Sequence, residues 1–243
     1  MRAWLAVAPF FWAWTARAAD YEIQVYPSQL AAPGETFVEL HSNYATPAPE
    51  FHETLEITRG FSDWFETGFY VFSSARGGRG WDWTGDHVRP RVSVPKSWGW
   101  PVGLSLSAEA GYWRRGYNEA AWDLELRPIV DWKSGRFYVS FNPAFERSLT
   151  LHDGGSTSFV FAPGLKLAWS ASRLIDAGLE YYGNLGPVEN FSRGRDQTHT
   201  LLAAFDLKVS PDWELNIAGG PGLTPATEAA LIKVIVGRRF AAR

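Results

Sequence analysis

Val102-Gly103-Leu104-Ser105-Leu106-Ser107-Ala108-Glu109-Ala110-Gly111-Tyr112 decides the fold. Apolar residues and small or polar ones alternate almost without error. Successive side chains of a strand point to opposite faces, so this segment has one greasy face and one polar face. The pattern recurs in Trp122-Asp123-Leu124-Glu125-Leu126-Arg127, in Phe137-Tyr138-Val139-Ser140-Phe141-Asn142 and in Leu165-Lys166-Leu167-Ala168-Trp169. A period of two that persists over most of the chain predicts an all-β protein.

Three stretches read as copies of one hairpin: LEITRGFSDWFETGFYVF from Leu55, LKLAWSASRLIDAGLEYY from Leu165 and FDLKVSPDWELNIAGG from Phe205. Each has a strand, a tight turn containing Ser, and a second strand, and the Ser, Asp and Pro are turn chemistry. Extending the count predicts twelve strands, near 36–44, 50–59, 64–75, 85–95, 102–113, 119–132, 136–149, 158–169, 175–186, 196–209, 213–222 and 229–240. Turns near Ser62, Lys96–Pro101, Ser134-Gly135, Ser170–Arg173 and Pro211 are short. Most of the others are longer, as in ARGGRGWDWTG from Ala75 and PVENFSRGRD from Pro187; the join near Thr46–Pro49 is a short exception. Short turns at one end and long loops at the other, on an even number of strands, predict a closed antiparallel transmembrane β-barrel with both termini in the periplasm. Pro90, Pro128, Pro143, Pro163 and Pro221 fall inside these strands, where Pro removes a ladder donor, and bulges or kinks are expected there.

The start of the chain supports export. Arg2 precedes the apolar run Ala3–Trp14, and Ala16-Arg17-Ala18 offers small residues where a signal peptidase reads. Residues 1–18 are expected to be a signal peptide, and 19–243 the barrel domain. The chain has no Cys, so disulfides play no part. A formal net charge of −3 points to no nucleic-acid partner.

Aromatic residues make up 16% of the chain. Trp64, Trp98, Trp100, Trp132, Trp169 and Trp213 all fall at short-turn ends, as one interfacial girdle would require, while Trp81, Trp83, Trp113 and Trp122 lie toward the other end. Leu106 and Leu126 are expected to face lipid.

The opposite phase is charged. Glu66, Arg89, Arg91, Glu109, Asp123, Glu125, Arg127, Glu146 and Lys166 are the candidate lumen residues, since such charges cannot face hydrocarbon. Two readings follow: the charges pair and plug the barrel, or they line a narrow water-filled path for small polar or aromatic-acid solutes. A lipid hydrolase is a weaker reading, because His41 and Ser42 are adjacent and point to opposite faces. A soluble periplasmic ligand-binding β-barrel would need the reverse polarity. His41, His52, His87, His152 and His199 map to the outer half without metal-ligand spacing; they read as solvated rim residues, so no metal, cofactor or catalytic residue is expected.

VPKSWGWPVGLSLSAEAGY, LRPIVDW, FNPAFERS, GLEYYGNLGPV and IVGRRF together resemble a family of Gram-negative outer-membrane β-barrel proteins without an assigned activity. They are more distantly similar to outer-membrane transporters associated with phenol degradation (MetA-type). The resemblance covers nearly the whole mature chain. It implies outer-membrane location, with lipids, small solutes and the barrel-assembly machinery as partners, and it carries over no catalytic motif. The last strand departs from the usual barrel ending: Phe240 is followed by Ala241-Ala242-Arg243, and Arg238 takes a normally apolar place.

Overall fold

The computed structural model describes residues 21–46, 50–76 and 80–241. The expected leader at 1–18, and residues 47–49 and 77–79 of two connections, lie outside them. The described chain is a closed ring of antiparallel strands: β1 (Thr36–Thr46), β2 (Glu50–Gly60), β3 (Phe65–Arg76), β4 (Trp81–Ser93), β5 (Gly103–Trp113), β6 (Ala120–Ser134), β7 (Phe137–Leu151), β8 (Val160–Ser170), β9 (Ile175–Asn184), β10 (Thr198–Leu207), β11 (Trp213–Pro221) and β12 (Ala230–Phe240). Closure comes from β1 on β12, from Thr36↔Phe240 to Thr46↔Ala230. It leaves no strand edge unpaired, as a lipid-embedded sheet requires.

The three related hairpins share a turn device. Ser62 Oγ accepts from the Trp64 amide, Ser172 Oγ from the Leu174 amide, and Ser210 Oγ from the Asp212 amide. Each serine thus supplies a local partner for an amide the ladder cannot reach. The tightest hairpin, β6–β7, places Gly135 at φ 56°, the left-handed region that two-residue turns demand.

Two expectations needed correction. The stretch before Gly85 reads as loop because of its glycines, yet β4 begins at Trp81. Its alternation persists across a bulge: Phe72 pairs with Gly85 and Ser73 with Trp83, which leaves Thr84 as the extra residue. Nor do the internal prolines create bulges. Between β4 and β5 the ladder passes from Val88↔Ala110 to Arg91↔Ser107, and between β6 and β7 from Leu126↔Phe145 to Val130↔Phe141, in unchanged register. The proline simply opens a gap, because it lacks the N–H that the missing rungs need.

Polarity is inverted relative to a soluble domain. Leu40, Ile57, Phe69, Leu106, Leu167 and Ile217 stand on the outside, whereas Glu56, Glu66, Arg89, Glu180 and Lys233 are buried inside. This excludes the soluble ligand-binding reading. Arg238, the odd residue of the last strand, lies with its guanidinium 5.3 Å from the Trp213 ring centre and 5.0 Å from that of Phe240. Aromatic faces thus hold its charge at the rim.

Candidate functional site: a lumen threaded by the N-terminal segment

Residues 21–31 run inside the barrel, and a turn at 32–35 leads from them into β1. Tyr21 lies at the long-loop end, where its carbonyl accepts from Asn43 Nδ2 and Thr54 Oγ1. Ala31 lies at the short-turn end, its amide donating to Glu66 Oε2 over 2.6 Å. Ten residues at about 3.3–3.6 Å each are long enough to cross an apolar band about 25 Å tall. β1 does start, and β12 does end, at the short-turn end, as expected of both termini. The segment before β1, however, carries the chain back up the lumen to the opposite end.

The barrel wall binds this segment mainly through its backbone. Lys233 Nζ donates to the Ile23 carbonyl, Arg127 to that of Gln24, and Ser140 and Asn142 to that of Tyr26. Arg91 donates to the carbonyls of Pro27 and Gln29. Asp131 accepts from both the amide and the hydroxyl of Ser28. An extended segment lacks internal hydrogen bonds, so every buried backbone group needs such a partner. Close approach is built in as well: a Cβ at Gly60 would stand 2.3 Å from the Ala32 carbonyl oxygen.

Apolar packing completes the plug. Tyr21 joins Tyr70, Phe72, Trp113 and Ala120 in one cluster, and Ile23 joins Ala45, Leu202, Ala204, Ala218 and Leu231 in another. Trp113 is therefore a lumen residue, 1% exposed, not part of an outer girdle. Its position continues the inward phase of Ser105, Ser107 and Glu109. Trp64, Trp98, Trp100, Trp132, Trp169 and Trp213 are all exposed on the outside.

The lumen residues named from sequence divide into two groups. Glu66, Arg89 and Arg91 face inward but are sealed beneath the segment. Arg91 bonds Glu66 at 2.7 Å and Arg89 bonds Glu56 at 2.6 Å, so these two arginines line no open path. The Tyr26 ring lies against both guanidinium groups and covers them. The other group surrounds free space. A cavity of about 260 Å³ toward the long loops is lined by Glu22, Glu109, Asp123, Glu125, Arg127 and Glu146 among others. A second, of about 800 Å³ toward the short turns, is lined by Lys133, Arg136, Lys166, Lys208 and Lys233 and by the carboxylates Asp131, Asp176, Glu180 and Asp206. Gln24 borders both. The upper chamber is rich in carboxylates, whereas the lower one mixes amines with acids: Lys166 bridges Glu180 and Asp206 at 3.1 and 2.7 Å. Arg127 does not pair with Glu146 across the strands; its fork closes on Glu125 of its own strand.

The histidines also depart from expectation. His41, His52 and His87 are buried in the lumen wall instead of solvated at the rim, because all three fall on inward phases behind the segment. His87 sits between Glu109 (2.7 Å) and Asp123 (3.3 Å). His52 meets Ser74 at 2.9 Å, directly across β2–β3, and Glu50 at 3.5 Å. Sequence spacing could not reveal that His–Ser pair, since register brings it together. Tyr21 covers Ser74, whose Oγ donates to the Tyr21 hydroxyl over 2.8 Å, so a substrate has no approach to it.

No protein-family model matches the chain, and no curated protein matches it in sequence. Solved structures do. An outer membrane channel from Pseudomonas putida F1 superposes with a TM-score of 0.60 at 9% identity, over 90% of this chain and 100% of that one. The NanC porin gives 0.58 at 7% identity, over 82% and 97%. The KdgM porin in complex with disordered oligogalacturonate gives 0.52 at 10% identity, over 85% and 99%. At these identities the likeness is one of fold. The chain has the architecture of outer-membrane porin-type barrels, and its apolar outer surface suits lipid.

Proposed function

We propose that this chain is a passive outer-membrane channel for small polar or aromatic-acid solutes, closed at rest by its own N-terminal segment. One observation carries the reading: two charged chambers, open toward opposite ends, meet at Gln24 of a segment that is not part of the barrel wall. Solutes would pass between that segment and the β6–β12 side, where Arg127 and Lys166 stand. Arg89 and Arg91 would hold the segment and not the solute. The similarity to porins and a channel supports transport over catalysis. Kinship with transporters of phenol-degradation pathways, export through cleavage after Ala18 and insertion by the barrel-assembly machinery belong to the same proposal.

The test uses the absence of natural cysteine. Ser28→Cys with Asp131→Cys should lock the segment to the wall when oxidised, because their side chains touch at 2.9 Å. In planar bilayers, conductance should fall on oxidation and recover with reductant. A folded parent that conducts nothing, and a folded double variant that conducts nothing even when reduced, would leave the second reading, a structural barrel. The sealed Arg89–Glu56 and Arg91–Glu66 pairs favour that reading.

A further inference from the structure

We infer that Glu39, His41 and Glu56 form a divalent-cation site of the zinc class in the lumen wall. Glu39 on β1 stands directly opposite Glu56 on β2. His41 shares the inward face of β1, two residues further on, and its Nε2 lies 3.6 Å from Glu56 Oε2. One donor atom from each of the three residues falls within 4.8 Å of the other two. All three side chains are buried.

Apart from the 3.6 Å approach of His41 to Glu56, their polar atoms are poorly satisfied. Glu39 Oε1, Glu56 Oε2 and both ring nitrogens of His41 make no hydrogen bond, although each is buried. Glu56 Oε1 is fully used by Arg89 and Thr58, which turns Oε2 toward His41. Among the described residues no lysine or arginine forms an ion pair with Glu39. Like charges directly opposite on a sheet are mutually destabilising, and burial strengthens the repulsion. A positive charge between the two carboxylates removes that conflict and satisfies the histidine as well.

The donor set selects the ion. One imidazole and two carboxylates suit zinc, whereas calcium and magnesium prefer oxygen alone. Zinc bonds of about 2.0–2.2 Å place tetrahedral donors about 3.4 Å apart, so the His41–Glu56 pair is already nearly spaced for it. Glu39 must close part of the 4.8 Å spread of the donor atoms, and its stem already occupies the place that a Cβ on Gly237 would take. Water would fill the fourth position. Such an ion would staple β1 to β2 near the place where the N-terminal segment enters the barrel. Sequence spacing hides the site, because a Glu-x-His on one strand needs a Glu from the next.

The test is metal binding by the folded full chain in detergent. Protein is refolded with Zn²⁺ or Co²⁺, dialysed to remove free ion, and assayed for metal content and for four-coordinate Co²⁺ absorption. About one equivalent per chain is expected, with affinity falling at least tenfold in Glu39→Gln and in His41→Ala, and unchanged in His152→Ala. Absence of retained metal in the folded parent, or retention that ignores both variants, overturns the site in favour of a carboxylate pair sharing a proton. If His41→Ala does not assemble, the parent's Co²⁺ spectrum decides: a six-coordinate spectrum overturns the proposal.

Discussion

The guanidinium of Arg89 lies over the ring of Tyr26, 4.4 Å from its centroid, and so joins the barrel wall to the segment that threads it. Arg127 and Arg91 approach the same ring at 5.1 and 5.6 Å. One tyrosine thus organises three cations, and the Tyr26 hydroxyl also meets the Glu22 carboxylate. Desolvated cation–π contacts contribute about 2 kcal/mol or more each. Tyr26→Ala should free the segment, raising single-channel open probability and exposing residues 21–31 to protease. Tyr26→Phe keeps the ring and should resemble the parent. Equal behaviour of both variants would mean that the ring does not hold the segment.

Lys233 offers a second handle. Its ammonium bonds Glu180 at 2.5 Å and the Ile23 carbonyl at 2.8 Å, wholly buried. Removing one partner of a buried ion pair costs about 3–5 kcal/mol when the other charge is stranded. Glu180 keeps Lys166 at 3.1 Å, so Lys233→Met should lower the urea midpoint of the folded barrel by less than that full cost. Lys233→Met with Glu180→Gln should recover part of the loss, a sign that a simple packing defect would not give.

The lipid face predicts the opposite chemistry. Leu106 stands outward and half-exposed in mid-strand, with Leu126 on the same phase of the adjoining strand. Leu106→Arg and Leu126→Arg should each destabilise by about 2–4 kcal/mol if near the midplane. Heat-modifiable migration on gels measures the folded fraction. Replacing inward Ser107 by Thr should leave that fraction unchanged.

At the loop end, Arg115 bonds Asp153 at 2.7 Å and the His152 carbonyl at 2.5 Å. The Arg115 hydrogen bond and charge hold the Asp153 carboxyl below the usual carboxylate range. The loop contact is therefore present above the unfolded value near pH 3.9 and is lost as pH falls through the lower folded value. Carboxyl-carbon NMR should show a midpoint under 3.9 that returns toward it in Arg115→Ala. Both side chains are exposed, so barrel stability at neutral pH should not change measurably.

The alternation in Val102–Tyr112 and its counterparts determined by itself that the chain is a β-barrel, how many strands it has and which residues turn inward. A period of two assigns each residue to a face locally, and a sheet that must close in lipid leaves little freedom beyond that. The prolines misled only about local geometry, since gaps in a ladder and bulges look alike in sequence. Tertiary structure decided what the inward face does. Tyr21-Glu22-Ile23-Gln24-Val25-Tyr26 could read as one more short amphipathic strand, and nothing in its composition says that it lies inside a barrel. Its place depends on carbonyls captured by Lys233, Arg127, Asn142 and Arg91 from strands more than sixty positions away. The same long-range register sets Glu39 against Glu56 and His52 against Ser74. Phase is a property of one strand and can be read along the chain. Partnership belongs to neighbouring strands and to whatever fills the space between them, so it exists only once the barrel has closed.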